Sequence, residues 1–289
     1  MKLRAATRGS PRAMWQTNYI AALLEQQGFQ VEPVIVQTSG DKDQKSPLHE
    51  IGGQGIFVKE IQSCVINKQA DFAVHSLKDL PSESTSELVL ASVPDRGDPR
   101  DALVGSRLND LKPGARVATG SVRRKSQLAA LRPDISFHEL RGNIHTRLEK
   151  AKDFDAIIIA AVAIDRLKIN PEIIEIFEPD IMIPQVGQGA IGLECLSSNS
   201  EVIYALETIE NPSTRNLVNI ERSFLKEIGA NCSHPVGAHA CLEENQIRIR
   251  SFISDSKTGK SFHDDRVGEN PEILGQLAAK ELLQQLEKE

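Results

Sequence analysis

Strand-like and helix-like segments alternate through the first two hundred residues, and from about residue 213 they give way to paired strands closed by one helix. Inside the alternating region lies PDRGDPRD (94–101), charged and rich in Pro and Gly, the composition of a crossing between domains. These observations predict an α/β protein with two domains built on mostly parallel sheets, followed by a small α+β domain. At 289 residues the chain is long enough for two or three domains of ordinary size.

The first domain opens with the strand LRAATR (3–8), and Ser10 and Pro11 supply an N-cap and a first-turn proline for the helix through Met14, Trp15 and Leu23. Arg8 falls at the strand's carboxyl end, where ligands sit in such sheets. VEPVIVQT (31–38) is the second strand. The segment after it, residues 39–55, is polar, glycine-bearing and too long for a tight turn, so we expect a mobile active-site loop. ADFAVHSLKDLP (70–81) alternates onto a buried face through Phe72 and Val74 and breaks at Pro81, which delivers Ser76, Lys78 and Asp79 to the sheet's carboxyl edge. A Lys-Asp neighbour pair alone is ordinary surface charge.

The second α/β unit begins with DALVG and VATG. Thr119, Gly120 and Ser121 lead into Arg123, Arg124 and a helix through Leu128 and Leu131. Hydroxyls, free N–H groups and two arginines at a helix start make an anion site. Arg123 and Arg124 are expected to project in different directions, one toward a ligand and the other elsewhere. LRGNIHTRL (140–148) repeats the arrangement, with a turn at Gly142 between Arg141 and a helix bearing Arg147. His145 reads as structural. AIIIAAVAI (156–164) is a buried strand running into a helix, and Cys195, inside an apolar strand, reads as core. Helices follow around 200–209 and 213–228; VGAHACL, QIRIRSFIS and a helix from about Pro271 suggest a small antiparallel sheet with a covering helix.

Charge narrows the ligand. The net charge is −6, yet residues 96–150 hold twelve Lys/Arg against six Asp/Glu, a local +6 with −12 over the rest. A basic segment in an acidic chain suits a small anion and disfavours nucleic acid, and 4% aromatic residues leave little for base stacking. No apolar run is long enough to cross a membrane, and MKLRAATRGSP has no signal-peptide core, so a cytoplasmic protein is expected. Four cysteines (64, 195, 232, 241) lie in no disulfide-scaffold pattern, in keeping with a reducing compartment. Nothing demands more than a monomer.

Cys232 stands apart. The helix-like run ERSFLKEIG stops at Gly229, and Cys232 follows in a short polar stretch closed by Pro235 and Gly237, a loop position for a residue that usually behaves as a small buried hydrophobe. Cys232, His234, His239 and Cys241 also spell C-x-H-x4-H-x-C, a possible zinc set. That spacing lacks the C-x2-4-C hook, and Pro235 stiffens its middle, so no metal is expected.

ERSFL followed by a loop Cys, Pro and Gly resembles the cofactor-attachment segment of the hydroxymethylbilane synthase (porphobilinogen deaminase) family, and the resemblance runs over essentially the whole chain. The family's A-T-R-x-S-P-x-A-x-x-Q is met by Ala6, Thr7, Arg8, Ser10, Pro11, Ala13 and Gln16; its A-V-H-S-x-K-D-x-P is met without a gap through Asp79. Its T-S-S-x-R-R is met except at Gly120. Further departures are Gln54 for a loop lysine, Val162-Ala163 for Ala-Gly, and Ala230-Asn231 for Gly-Gly.

The resemblance implies two periplasmic-binding-protein-like α/β domains around a cleft, residues 1–96 with 190–212 and residues 97–189, plus an α+β domain at 213–289. It implies a dipyrromethane cofactor bound through a thioether at Cys232, with Ser76, Lys78, Thr119, Ser121, Arg123, Arg124 and Gly142 as cofactor ligands. Asp79 is then the catalytic carboxylate, and Arg8, Ser10, Gln16, Arg141, Arg147 and Gln188 are substrate ligands. Gln188 and Gly189 would lie near the interdomain cleft.

The implied reaction joins four porphobilinogen molecules head to tail with loss of ammonia. Ammonia must leave, the resulting cation must be stabilised, and a proton must come off the attacked carbon. One carboxylate beside the pyrrole N–H groups can serve all three. Each ring carries two carboxylates, which suits a site rich in arginine, whose planar fork grips them bidentately. A non-enzymatic receptor for small polycarboxylates shares the two-domain pattern, but the missing signal peptide and the extra domain carrying Cys232 stand against it. A zinc-dependent hydrolase is third.

Overall fold

The computed structural model describes residues 1–38, 58–82, 85–229, 235–268 and 270–288. The chain opens with β1 (Lys2–Arg8), α1 (Pro11–Gln26) and β2 (Gln30–Val36), then continues with α2 (Lys59–Ile66), β3 (Phe72–Ser76) and β4 (Leu88–Ser92). The loop expected at 39–55, Gln54 included, lies outside the described residues. Ser10 caps α1 by accepting from the Ala13 N–H at 3.3 Å, and Pro11 fits the first turn because an N–H there has no helical partner.

Next come β5 (Asp101–Val104), β6 (Arg116–Ala118), α3 (Val122–Leu131), β7 (Ser136–His138) and α4 (Ile144–Lys150). They are followed by β8 (Ala156–Ala160), α5 (Ala161–Arg166), β9 (Ile174–Phe177), β10 (Ile191–Leu196), α6 (Ser200–Glu207) and α7 (Pro212–Ile228). The chain closes with β11 (Val236–Glu243), β12 (Gln246–Ser254), β13 (Ser261–Gly268) and α8 (Pro271–Glu287). It divides into two compact units, residues 1–97 with 189–216 and residues 98–188 with 217–289.

In the first unit the sheet order is β2-β1-β3-β10-β4. β1 runs parallel to β2 and β3, whereas β10 returns antiparallel between β3 and β4. Parallel neighbours require crossovers, and α1 makes the one between β1 and β2. Ile20 and Leu24 of α1 and Val202 and Leu206 of α6 pack with Phe72, Val74, Leu193 and Cys195. Ile61 and Val65 of α2 pack with Ala6 and Ala73. Phe72 to His75 are therefore all buried and do not alternate, because helices cover both faces of β3. Pro33 is tolerated in β2 because that strand is at the sheet edge.

The second unit carries a sheet with the matching order β7-β6-β8-β5-β9, its antiparallel strand again fourth. All five residues of β8 are buried, as its unbroken apolar run requires. The same unit holds the antiparallel meander β11-β12-β13, with Ile220, Phe224 and Ile228 of α7 and Leu274, Ala278 and Leu282 of α8 packed on Ala240, Ile249 and Ile253. The meander and the second sheet fall in one compact unit. The cause is local: the buried Glu221 carboxylate of α7 accepts the Gly187 N–H at 2.7 Å and the Ala240 N–H at 2.9 Å, tying both parts to one helix. Among the described residues, no helix is long and apolar enough to cross a membrane.

Candidate active site

Two groups of candidate functional side chains form, one in each unit. In the first, the parallel pairing of β1 with β3 brings Arg8 and Ser76 to the same carboxyl edge. A single 3-10 turn, Leu77–Asp79, then carries Lys78 and Asp79 past the end of β3. Gln16, 2% exposed on α1, exchanges hydrogen bonds with the Ser76 hydroxyl at 2.9 and 3.1 Å. Arg8, Gln16, Ser76 and Asp79 line one hollow open to solvent, joined by Arg12 and His75. Arg12 donates from Nη2 to Asp79 Oδ2 at 3.2 Å.

Two expected ligands stand apart from that hollow. Lys78 is half-buried on the same turn but is not among the lining residues described, and the Ser10 hydroxyl serves as the α1 cap. Behind the wall, His75 Nε2 lies 3.2 Å from Glu194 Oε2, and Gln62 Nε2 donates to the same oxygen at 2.8 Å. Glu194 sits on β10, the returning antiparallel strand, far along the chain from β3, so no local motif announces it.

In the second unit the site is organised by a residue that motif reading passes over. Asp101, fully buried, begins β5 opposite Ala160, the last residue of β8. Arg123 Nη2 donates to its Oδ2 at 2.7 Å and Arg124 Nε to its Oδ1 at 2.8 Å. The two arginines thus converge where divergence is expected. A carboxylate without water has two oxygens to satisfy, and neighbouring residues in the first turn of α3 supply both donors. Burial by itself pushes the Asp101 pKa up; Arg123 and Arg124 outweigh it and hold the group below the usual carboxylate range. Burial lowers the Arg123 pKa against the pull of Asp101.

The rest of this group is equally committed. Gln188 donates to Asp101 Oδ1 at 2.8 Å and to the Pro99 carbonyl at 2.7 Å, and accepts from Arg124 Nη2 at 3.3 Å. Arg123 Nη1 donates to the Ile183 carbonyl at 2.6 Å, while its buried Nε has no hydrogen-bond partner. Thr119 Oγ1 accepts the Ser121 N–H, and Ser121 Oγ caps α3 by accepting from Arg124 N. Gly142 takes φ +113°, a left-handed conformation that favours glycine, and Arg147 Nε braces the turn through its carbonyl at 2.9 Å. Arg141 is half-buried beside it, and His145, expected to be structural, is exposed.

Cys232 and His234 lie outside the described residues. Their boundary on one side is as read from sequence: Gly229 ends α7 with φ +92°. Among the described residues no group of three or more His, Cys, Asp or Glu is placed to hold a metal. The other three thiols are described. Cys64 and Cys195 are buried; burial pushes Cys64 up and, with nearby Glu194, Cys195 up to about 11. Burial and a hydrogen bond to Glu243 push Cys241 up to about 11.

A dipyrromethane carries several carboxylates and would need cationic donors in excess of the protein's own acids. The cluster fits this: two buried arginines face one aspartate, an excess of one positive charge, with one guanidinium N–H unused. Residues 3–204 match the family model "Porphobilinogen deaminase, dipyromethane cofactor binding domain", and residues 216–284 match "Porphobilinogen deaminase, C-terminal domain". The porphobilinogen deaminase of Brevibacillus brevis is 39% identical over 98% of this chain and 94% of its own. That of Roseiflexus castenholzii is 42% identical over 97% of this chain and 95% of its own. Among solved structures, an amino acid ABC transporter substrate-binding protein from Streptococcus pneumoniae aligns at 14% identity over 78% of this chain and 92% of its own, with a TM-score of 0.41. The chain is a transferase. It belongs to the porphobilinogen deaminase family.

Proposed function

We infer that the chain runs its family's reaction through the two residue groups described above, with Asp79 as the catalytic carboxylate. Four porphobilinogen molecules are condensed head to tail, ammonia is lost at each step, and hydroxymethylbilane is released. The dipyrromethane cofactor supplies a fixed end from which the chain of rings grows. Cys232 is its attachment point. Arg123, Arg124, Thr119, Ser121 and Gly142 in the second unit, with Ser76 and Lys78 in the first, are its candidate ligands. Arg8, Gln16, Arg141 and Arg147 are candidates for substrate carboxylates; Ser10 and Gln188 contribute by holding α1 and Asp101. A single chain carries all of these groups, so a cytoplasmic monomer is sufficient.

The observation that carries the assignment is the setting of Asp79. Its side chain is 27% exposed, at the rim of a hollow lined by Arg8 and by the interlocked Gln16 and Ser76. There it can accept pyrrole N–H groups, offset the charge left when ammonia departs, and take the proton from the attacked carbon. Asp79→Asn keeps the shape but removes the charge and the proton acceptor. Ammonia release per loaded enzyme should fall by about a hundred-fold or more, with circular dichroism unchanged. Lys78→Gln should cause a smaller loss. Near-normal turnover in a folded Asp79→Asn protein would remove Asp79 from the mechanism.

A further inference from the structure

We propose that Arg12 is a substrate-carboxylate ligand that exchanges partners, leaving Asp79 for a carboxylate of the incoming porphobilinogen. This rests on the assignment of Asp79 above. The motif that marks this segment is met by Ala6, Thr7, Arg8, Ser10, Pro11, Ala13 and Gln16 and makes no demand on position 12. The structure nevertheless puts the Arg12 guanidinium in the same hollow as Arg8, Gln16, Ser76 and Asp79.

The contact it makes there is built to be given up. One Nη2 reaches one Asp79 oxygen at 3.2 Å, and the two side chains are 38% and 27% exposed. This is a single-point pair at a wet rim, in contrast to the dry two-oxygen grip of Arg123 and Arg124 on Asp101. The chemistry requires its release. A guanidinium fixed on Asp79 cancels the negative charge that must offset the cation formed when ammonia leaves. Porphobilinogen brings two carboxylates, and the arginine fork binds a carboxylate bidentately with better geometry than its present contact. Arg12 also sits in the first turn of α1, whose N-terminal N–H groups favour an anion nearby. Substrate entry thus converts a neutral resting pair into two productive ones: Arg12 with the substrate acid, and Asp79 with the pyrrole.

The test is steady-state kinetics on the cofactor-loaded protein with Arg12→Leu and Arg12→Lys, using porphobilinogen and its two mono-carboxamide analogues. A lost charged contact predicts a KM about tenfold higher for Arg12→Leu, with kcat changed less than about threefold and Arg12→Lys between. The native enzyme should discriminate against one of the two amides, and Arg12→Leu should lose that discrimination. If Arg12 only orients Asp79, kcat falls while KM and amide discrimination persist, and the proposal fails. Unchanged kcat and KM overturn it equally. Failure of the underlying assignment shows separately, as normal turnover in Asp79→Asn.

Discussion

Asp101 shows how one side chain sets the behaviour of its neighbours. Its carboxylate lies in the interior with two guanidinium groups on it, so replacing it leaves positive charge uncompensated where water does not reach. Removing one partner of such a pair costs about 3–5 kcal/mol. Asp101→Asn should lose roughly that much in urea unfolding at neutral pH. The dependence on pH has a definite sign. The native pKa is depressed, so this contribution is present above the unfolded-state pKa of about 4 and is lost as pH falls through the native value. The stability gap between native protein and Asp101→Asn should therefore hold at neutral pH and narrow only below about pH 4; a gap that narrows between pH 8 and 5 would exclude this origin. At this scale the sequence is legible where chemistry is local. Ser76, Lys78 and Asp79 come within four residues at a strand exit, and the structure puts them there. Asp101 sits in a Pro- and Gly-bearing stretch that reads as a crossing, and only folding brings α3 to it. Arg12 occupies a position the motif leaves open.

Among the elements, caps and strand ends are readable, whereas close approaches of backbone are not. Ser10, Ser121 and Asn143 each cap the helix that follows, because a side-chain oxygen three residues upstream is a local fact. Glycines that permit contact depend on a partner distant in sequence. Gly120, where the family motif has serine, sits where a Cβ would meet the Leu140 carbonyl at 2.8 Å. The backbone here has closed over the space a serine would use. Gly275 is the more severe case, since a Cβ would lie 2.1 Å from the Ile220 carbonyl and 2.2 Å from Ser223 Oγ. α8 therefore packs backbone to backbone on α7, the helix whose Glu221 anchors the turn before Gln188. Gly275→Ala gains helix propensity of about 1 kcal/mol in isolation. Overpacking costs about 1–3 kcal/mol and should exceed that gain, because the atoms met are mostly backbone. The expected result is a net loss in urea stability and reduced amide protection in α7; a more stable Gly275→Ala protein would contradict the close contact.

For the whole molecule, the two five-stranded sheets share one strand order, each with an antiparallel fourth strand: β10, which returns from Ile191–Leu196, and β5, which opens the second unit. The alternation is visible in the sequence and the resemblance assigns 190–212 back to the first domain, but β5 looks like any other apolar run and does not announce an antiparallel fourth strand. The cysteines give the last prediction, because it needs the whole chain. Attachment of a pyrrole as a thioether requires a reachable thiolate. Cys64 and Cys195 are buried with raised pKa values, and Cys241 is pushed up to about 11. At pH 7.5 a thiol of pKa 11 is ionised in roughly one molecule in three thousand. These handicaps belong to the three described cysteines; Cys232 lies outside the described residues and is the one the motif marks. The intact protein should weigh more than its sequence by two linked pyrroles. Cys232→Ser should lose that mass and its turnover, whereas Cys241→Ser keeps both. In protein made without the cofactor, brief iodoacetamide treatment under native conditions should label Cys232 well before the others. Pyrrole mass retained in Cys232→Ser, or first labelling at Cys241, would place the attachment elsewhere.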